Sequence, residues 1–108
     1  MFWNRSSSIP EIDPAQAQDL LARGDIYLVD VREPAEQRAE RIEGAISMPL
    51  SSFDPTKLKE HPKPVVLCCL SGKRSAMAAR LCERAGMAVR NMRGGLAGWK
   101  AAGLPTRR

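Results

Sequence analysis

The sequence predicts an α/β layer architecture, on three observations. Short apolar runs alternate with stretches of helical periodicity. Two of those runs, residues 26–31 and 65–69, are nearly continuous in apolar side chains, which suits strands buried on both faces. The 108 residues, 44% hydrophobic and 27% charged, supply one domain-sized core, with no internal repeat and no linker long enough to divide it.

The elements follow in order. Residues 9–12 form a short first strand. Asp13 is placed as an N-cap, Pro14 as the first helical residue and Gln16 as the return arm of a capping box. Ala17, Leu20 and Leu21 fall on one face of that helix, which Gly24 ends with Arg23 in its last turn. Residues 26–31 form a buried strand. Residues 32–43 are dense in charge and predict a short helix and loop solvated at most of their positions. Residues 45–48 form another short strand, closed by Pro49. Residues 53–60 carry a weak helical pattern, and residues 61–64 a turn. Residues 65–69 form the best-marked strand and run into the polar loop Leu70-Ser71-Gly72-Lys73-Arg74. Residues 75–85 form a helix with Met77, Ala78, Leu81, Cys82 and Ala85 on one face, capped by Gly86. Residues 89–92 form a last strand, Gly94-Gly95 a turn, and residues 96–102 a final helix anchored by Trp99.

Composition narrows the function. The three cysteines, Cys68, Cys69 and Cys82, are odd in number with two adjacent, so they predict free thiols in a reducing cytoplasm rather than a disulfide framework. One histidine, His61, and no C-x-x-C pair predict neither metal nor cofactor; His61 is assigned to the surface. The net charge of +5 favours anionic partners. Nucleic acid is not the expectation: the basic residues are dispersed, aromatics are few and no binding motif is present. No segment approaches the ~18 apolar residues of a membrane span, and the first residues lack the apolar core of a secretory leader. The apolar start Met1-Phe2-Trp3 is assigned either to disorder or to packing on a neighbouring chain.

Cys69 carries the chemistry. It stands at the carboxyl end of a strand in an open α/β sheet, where ligands collect, and immediately before a helix N-terminus. The first N–H groups of that helix have no internal partner and carry partial positive charge. A loop wound around such a point aims several N–H groups inward as an anion nest. A thiol there ionises readily, and the thiolate is the nucleophile. Lys73 and Arg74 add positive field, and Gly72 tolerates the backbone angles the loop needs. Cys82, on the apolar stripe of its helix, is assigned to the core.

These residues resemble a known family. Val65-Val66-Leu67-Cys68-Cys69-Leu70-Ser71-Gly72-Lys73-Arg74-Ser75 is similar to the active-site loop of rhodanese-domain sulfurtransferases. Leu28-Val29-Asp30-Val31-Arg32-Glu33-Pro34, Ile42-Glu43-Gly44-Ala45-Ile46 and Gly94-Gly95-Leu96-Ala97-Gly98-Trp99 resemble the family's other motifs, in its order and spacing. The resemblance covers residues 8–105 as a single domain, leaving 1–7 and 106–108 as extensions. It implies a rhodanese-like fold, a central parallel sheet of about five strands with helices on both faces. It implies a Cys69 persulfide that takes sulfane sulfur from a small anionic donor such as thiosulfate and passes it to cyanide, a thiol or a protein cysteine. Leu70, Ser71, Gly72, Lys73, Arg74 and Ser75 would form the substrate cradle. Asp30 and Arg32 would support it, Asp30 as the charge partner of a basic group and Arg32 in a salt bridge or an anion contact. No nucleic acid, no membrane and a monomer or weak dimer are expected.

The chain departs from the family pattern in places. Leu70 stands where many members have a basic residue, Cys68 where an aromatic is common, Gln37 in place of an aromatic, Glu40-Arg41 in place of Gly-His and Glu43 in place of Pro. Leu70 weakens the cationic field and predicts weak thiosulfate binding. Arg41 could restore it only by facing the site, and a surface position is expected. Two rival functions fit the same residues. A non-enzymatic interaction or sulfur-relay module needs only the fold. A cysteine phosphatase would count from Cys68, with five residues before Arg74-Ser75.

Overall fold

The structure is a computed structural model and describes residues 9–108; Met1-Phe2-Trp3 and the extension 1–7 lie outside the described residues. Among these, five strands form one parallel sheet in the order β1-β5-β4-β2-β3. The strands are β1 (Glu11–Ile12), β2 (Tyr27–Asp30), β3 (Ile46–Ser47), β4 (Val65–Cys68) and β5 (Val89–Met92), and the helices α1 (Pro14–Ala22), α2 (Pro34–Ala39), α3 (Lys73–Arg84) and α4 (Gly95–Ala101). The expected α/β architecture is present, with helices on both faces of the sheet.

Alternation along the strands divides the core in two. Leu28, Val66, Cys68 and Met92 face α1 and α4, where they pack with Ala17, Leu96 and Trp99. Val29, Leu67, Cys69 and Val89 face α3, packing with Ala78, Ala79 and Cys82. The adjacent cysteines therefore point to opposite sides of the sheet. Cys82 is fully buried, and Trp99 is buried with its Nε1 donating to Pro105 O at 2.8 Å.

The local signals place α1 as expected. Asp13 accepts from the Gln16 N–H at 2.8 Å, and the Gln16 side chain returns to Asp13 N. Arg23 is the C-cap of α1 rather than part of its last turn, and Gly24 follows at φ 74°.

Most of the segment 32–43 is solvated as expected, with Arg32, Gln37 and Ile42 buried; Gln37 bonds the backbone of Asp30 and Arg32 and ties α2 to the end of β2. Several expectations are corrected. Residues 53–60 form no α-helix. Two 3-10 turns, Leu50–Ser52 and Pro55–Leu58, take their place, separated by extended Phe53 and Asp54. Strand β4 ends at Cys68, not Cys69, since the Cys69 carbonyl accepts instead from Leu96 N in α4 at 2.7 Å. Helix α3 starts at Lys73 because left-handed Gly72 (φ 103°) is its N-cap. Met77 is 54% exposed rather than core, since the small residues Ser75, Ala78, Ala79 and Cys82 are what α3 buries against the sheet. Contacts with the domain continue past residue 105: Arg107 pairs its backbone with Arg41, and Thr106 Oγ1 donates to Glu40. Among the described residues, no helix is long and apolar enough to cross a membrane.

Candidate active site

The carboxyl ends of β2 and β4 bring together the sequence-predicted residues. Cys69 is 1% exposed and sits directly beyond β4, under the loop that opens α3. Gly72 N–H donates to Cys69 Sγ at 3.1 Å, and Ser75 Oγ lies 3.4 Å from it. Helix α3 has no side-chain N-cap bond; Lys73 N–H reaches Ser71 Oγ at 3.5 Å, and the Gly72 N–H turns to the sulfur. Burial pushes the Cys69 thiol up. Hydrogen bonds from the Ser75 hydroxyl and from the N–H groups of Ser75, Gly72 and Ser71 outweigh that, and the thiol ionises below its ordinary range.

The other two thiols differ. Burial and the nearby Asp30 push Cys68 well up. Burial, with Glu83 adding to it, pushes Cys82 to about 11. All three are free cysteines.

The loop is fixed from two sides. From the end of β5, Asn91 Nδ2 donates to Gly72 O at 3.0 Å, and Asn91 Oδ1 accepts from Ser75 Oγ at 2.6 Å. From α4, Leu96 N and Ala97 N donate to the carbonyls of Cys69 and Leu70 at 2.7 and 3.0 Å. That approach requires Gly95, where a Cβ would stand only 2.6 Å from Leu70 O.

Asp30 and Arg32 form a buried ion pair at 2.9 Å. Arg32 also donates to the carbonyls of Glu36 (3.4 Å) and Glu40 (2.7 Å) at the end of α2, where a cation meets the negative end of the helix dipole. Its donors are thereby committed to protein groups. Arg74 forms two bonds to Glu36, at 2.7 and 3.0 Å, so α2 and the loop are joined across the mouth of the site. The Arg74 bond, with lesser help from the Glu33 N–H and Arg32, holds the Glu36 carboxyl down at about 2 against its own desolvation.

Ser71 is exposed on the loop, Lys73 is exposed in the first turn of α3, and Arg41 is exposed just past the end of α2. Leu70 is 46% exposed and lines a groove of about 450 Å³ between α2 and α4, with Glu40 and Lys100 on its rim. A larger cavity, about 620 Å³, lies at the amino ends of the strands beside Ile26, Val65 and Val89, at the opposite end of the sheet from Cys69. It contains no cysteine and takes no part in the site.

Sequence reasoning missed Asn91 and Glu36. A polar Asn inside a four-residue strand was the available signal for Asn91, since Asn is depleted in strands and costly to bury unpaired. Glu36 had none, being one carboxylate in a run of charges.

An open parallel sheet with a buried cysteine at the foot of a helix, its sulfur accepting from a loop N–H, defines a class of α/β domains. The rhodanese-like domain family model matches residues 13–102, and this chain belongs to that family. It is 42% identical over 97 residues to an uncharacterized protein of Synechocystis sp., covering 88% of this chain and 54% of that protein, so it spans about half of that relative's length. It is 39% identical over 101 residues to a sulfurtransferase of Allochromatium vinosum, covering 90% of this chain and 94% of that protein. A rhodanese-related protein of Thermoplasma volcanium superposes with a TM-score of 0.80 at 27% identity, covering 91% of this chain and 97% of that one.

Proposed function

We propose that the protein is a cytoplasmic sulfurtransferase that carries sulfane sulfur on Cys69. The observation that carries the reading is the donation of Gly72 N–H to Cys69 Sγ at 3.1 Å, at the N-terminus of α3, whose N-cap Gly72 brings no side-chain cap. The Cys69 thiolate attacks the outer sulfur of thiosulfate or of a persulfide donor. A new S–S bond forms to Cys69, the donor's own S–S bond breaks, and sulfite or a thiolate leaves with the electron pair. An acceptor nucleophile then attacks the outer sulfur of the Cys69 persulfide, and the electrons of that bond return to Cys69. The loop N–H groups hold negative charge on sulfur before and after each transfer without reorganising.

Membership of the family and the sulfurtransferase name of the Allochromatium vinosum relative support this reading. A phosphatase counted from Cys68 would need a nucleophile that here faces α1 and α4 and is held protonated by burial.

Incubation with thiosulfate followed by intact-mass measurement tests the proposal. One added sulfur is expected on the wild type and on Cys68→Ser, and none on Cys69→Ser. Sulfur carried by Cys69→Ser but lost in Cys68→Ser would reverse the assignment.

A further inference from the structure

Helix α3 presents two opposed faces. Ser75, Ala78, Ala79 and Cys82 are buried against the sheet. At ~100° per residue, Lys73, Met77, Arg80 and Arg84 fall on the opposite side, within about 60° of arc and along ~16 Å of helix. All four are exposed. Met77 and Leu70 are two of the three large apolar side chains exposed among the described residues. Lys73, Arg80 and Arg84 form no ion pair among the described residues, whereas Arg74, just off this stripe, is held by Glu36. From Leu70 to Arg84 the chain has four cations besides Arg84's neighbour Glu83, its one acid; counting Lys73, Arg74, Arg80 and Arg84 against Glu83, +3 of the chain's +5 lies on the segment that begins at the nucleophile.

We propose that this outer face of α3 is a docking surface for an acidic, thiol-bearing protein, with Met77 as its apolar anchor. The inference rests on the sulfurtransferase reading and names the acceptor class. Charge complementarity selects an acidic partner and speeds its encounter. The stripe leads to the N-terminal end of α3, so a partner lying along it brings a cysteine to Cys69. The acceptor thiolate would form an S–S bond to the outer persulfide sulfur while the bond to Cys69 Sγ breaks. A protein is favoured over RNA because Met77 offers apolar surface at the middle of the stripe, and the stripe has no aromatic on which a base could stack.

Two ten-residue peptides test the surface, each with one Cys and one Leu, flanked by four Glu in one and by four Gln in the other. As acceptors from the thiosulfate-loaded protein at low salt, the Glu peptide should have a KM about tenfold below that of the Gln peptide, equivalent to ~1.4 kcal/mol. The difference should shrink in ~0.5 M salt. Arg80→Glu/Arg84→Glu should abolish it while leaving turnover with cyanide unchanged. Anisotropy of a labelled Glu peptide with Ser in place of Cys, measured on Cys69→Ser protein, reads docking without sulfur chemistry. Binding there that the double charge reversal removes supports the surface even if no persulfide ever forms. Equal KM values for the two peptides, a preference that survives charge reversal, or tighter binding of a ten-nucleotide single-stranded RNA than of the Glu peptide would each overturn it.

Discussion

Ser75 lies between two acceptors and has one proton to give: its Oγ is 2.6 Å from Asn91 Oδ1 and 3.4 Å from Cys69 Sγ. The bond from Asn91 Nδ2 to Gly72 O turns the Asn91 oxygen toward Ser75. With its proton on Asn91, Ser75 offers Cys69 a lone pair, which suits a thiol. With its proton on sulfur, it suits a thiolate.

The two partners of Ser75 therefore predict opposite shifts. Ser75→Ala removes the donor and should raise the pH at which Cys69 ionises. Asn91→Ala frees the proton for sulfur and should lower it. Each shift should be about one pH unit or less, equivalent to at most ~1.4 kcal/mol. Asn91→Ala should also cost about 1 kcal/mol of stability, because it takes one partner from Gly72 O and leaves it the Ala76 N–H. The pH dependence of iodoacetamide alkylation at Cys69, resolved by mass, reads both shifts. An upward shift in Asn91→Ala would refute the shared proton.

The bonds between α2 and the loop set an acid limit on stability. The Arg74 bond holds the Glu36 carboxyl at about 2 in the folded protein, against an unfolded value of roughly 4.3. A folded-state value below the unfolded one gives stability that is full above the unfolded value and is lost as pH falls toward 2. Both side chains are about one-third exposed, at 33% for Arg74 and 35% for Glu36. Solvent screening thus limits the pair to about 1 kcal/mol. Glu36→Gln should lower stability by no more than that at pH 7. Its deficit against wild type should vanish between pH 5 and 2 in urea unfolding. A deficit that stays constant over that range would show that the pair does not stabilise through its charge.

What could be read in the sequence was local. The cap at Asp13, Pro14 and Gln16 lies within one turn, and Cys69 is followed at once by its loop and helix. What could not be read joins distant segments: Asn91 to Ser75, 16 residues apart, and Arg74 to Glu36, 38 apart. The buried face of α3 was misread at Met77 for a different reason. A helix lying close on a sheet selects for small side chains, and Ser75 and the alanines outrank hydrophobicity there.

Gly95 holds the loop at contact distance from α4. Its φ is +58°, and an added Cβ would meet backbone atoms of Cys69 and Leu70 that cannot rotate away. Gly95→Ala should therefore destabilise by about 3 kcal/mol or more and slow Cys69 alkylation as the carbonyl clamp shifts. Gly103→Ala is the control. It has a positive φ of +79° but open space around it, so only the backbone cost of ~1–2 kcal/mol applies. Equal losses for the two variants in urea unfolding would show that the close approach of α4 carries no special weight.

Leu70 tests what draws the donor. It is 46% exposed directly after Cys69 in the chain, and it lines the groove between α2 and α4. The cations that line this groove are already committed, Arg32 to Asp30 and Lys100 to Glu40, and Arg74 is held by Glu36. An anionic donor thus meets apolar surface and neutralised charge, and thiosulfate should bind weakly. Leu70→Arg places an uncommitted guanidinium there, with fork geometry suited to an oxyanion. It should lower the KM for thiosulfate by about tenfold at low salt, equivalent to ~1.4 kcal/mol. A charge at an exposed mouth is screened over ~8–10 Å, so the gain should fall as salt is raised. Steady-state kinetics of both proteins at two ionic strengths decide it. An unchanged KM at low salt would mean that position 70 does not govern donor choice, and a gain indifferent to salt would mean that the introduced side chain acts through packing rather than charge.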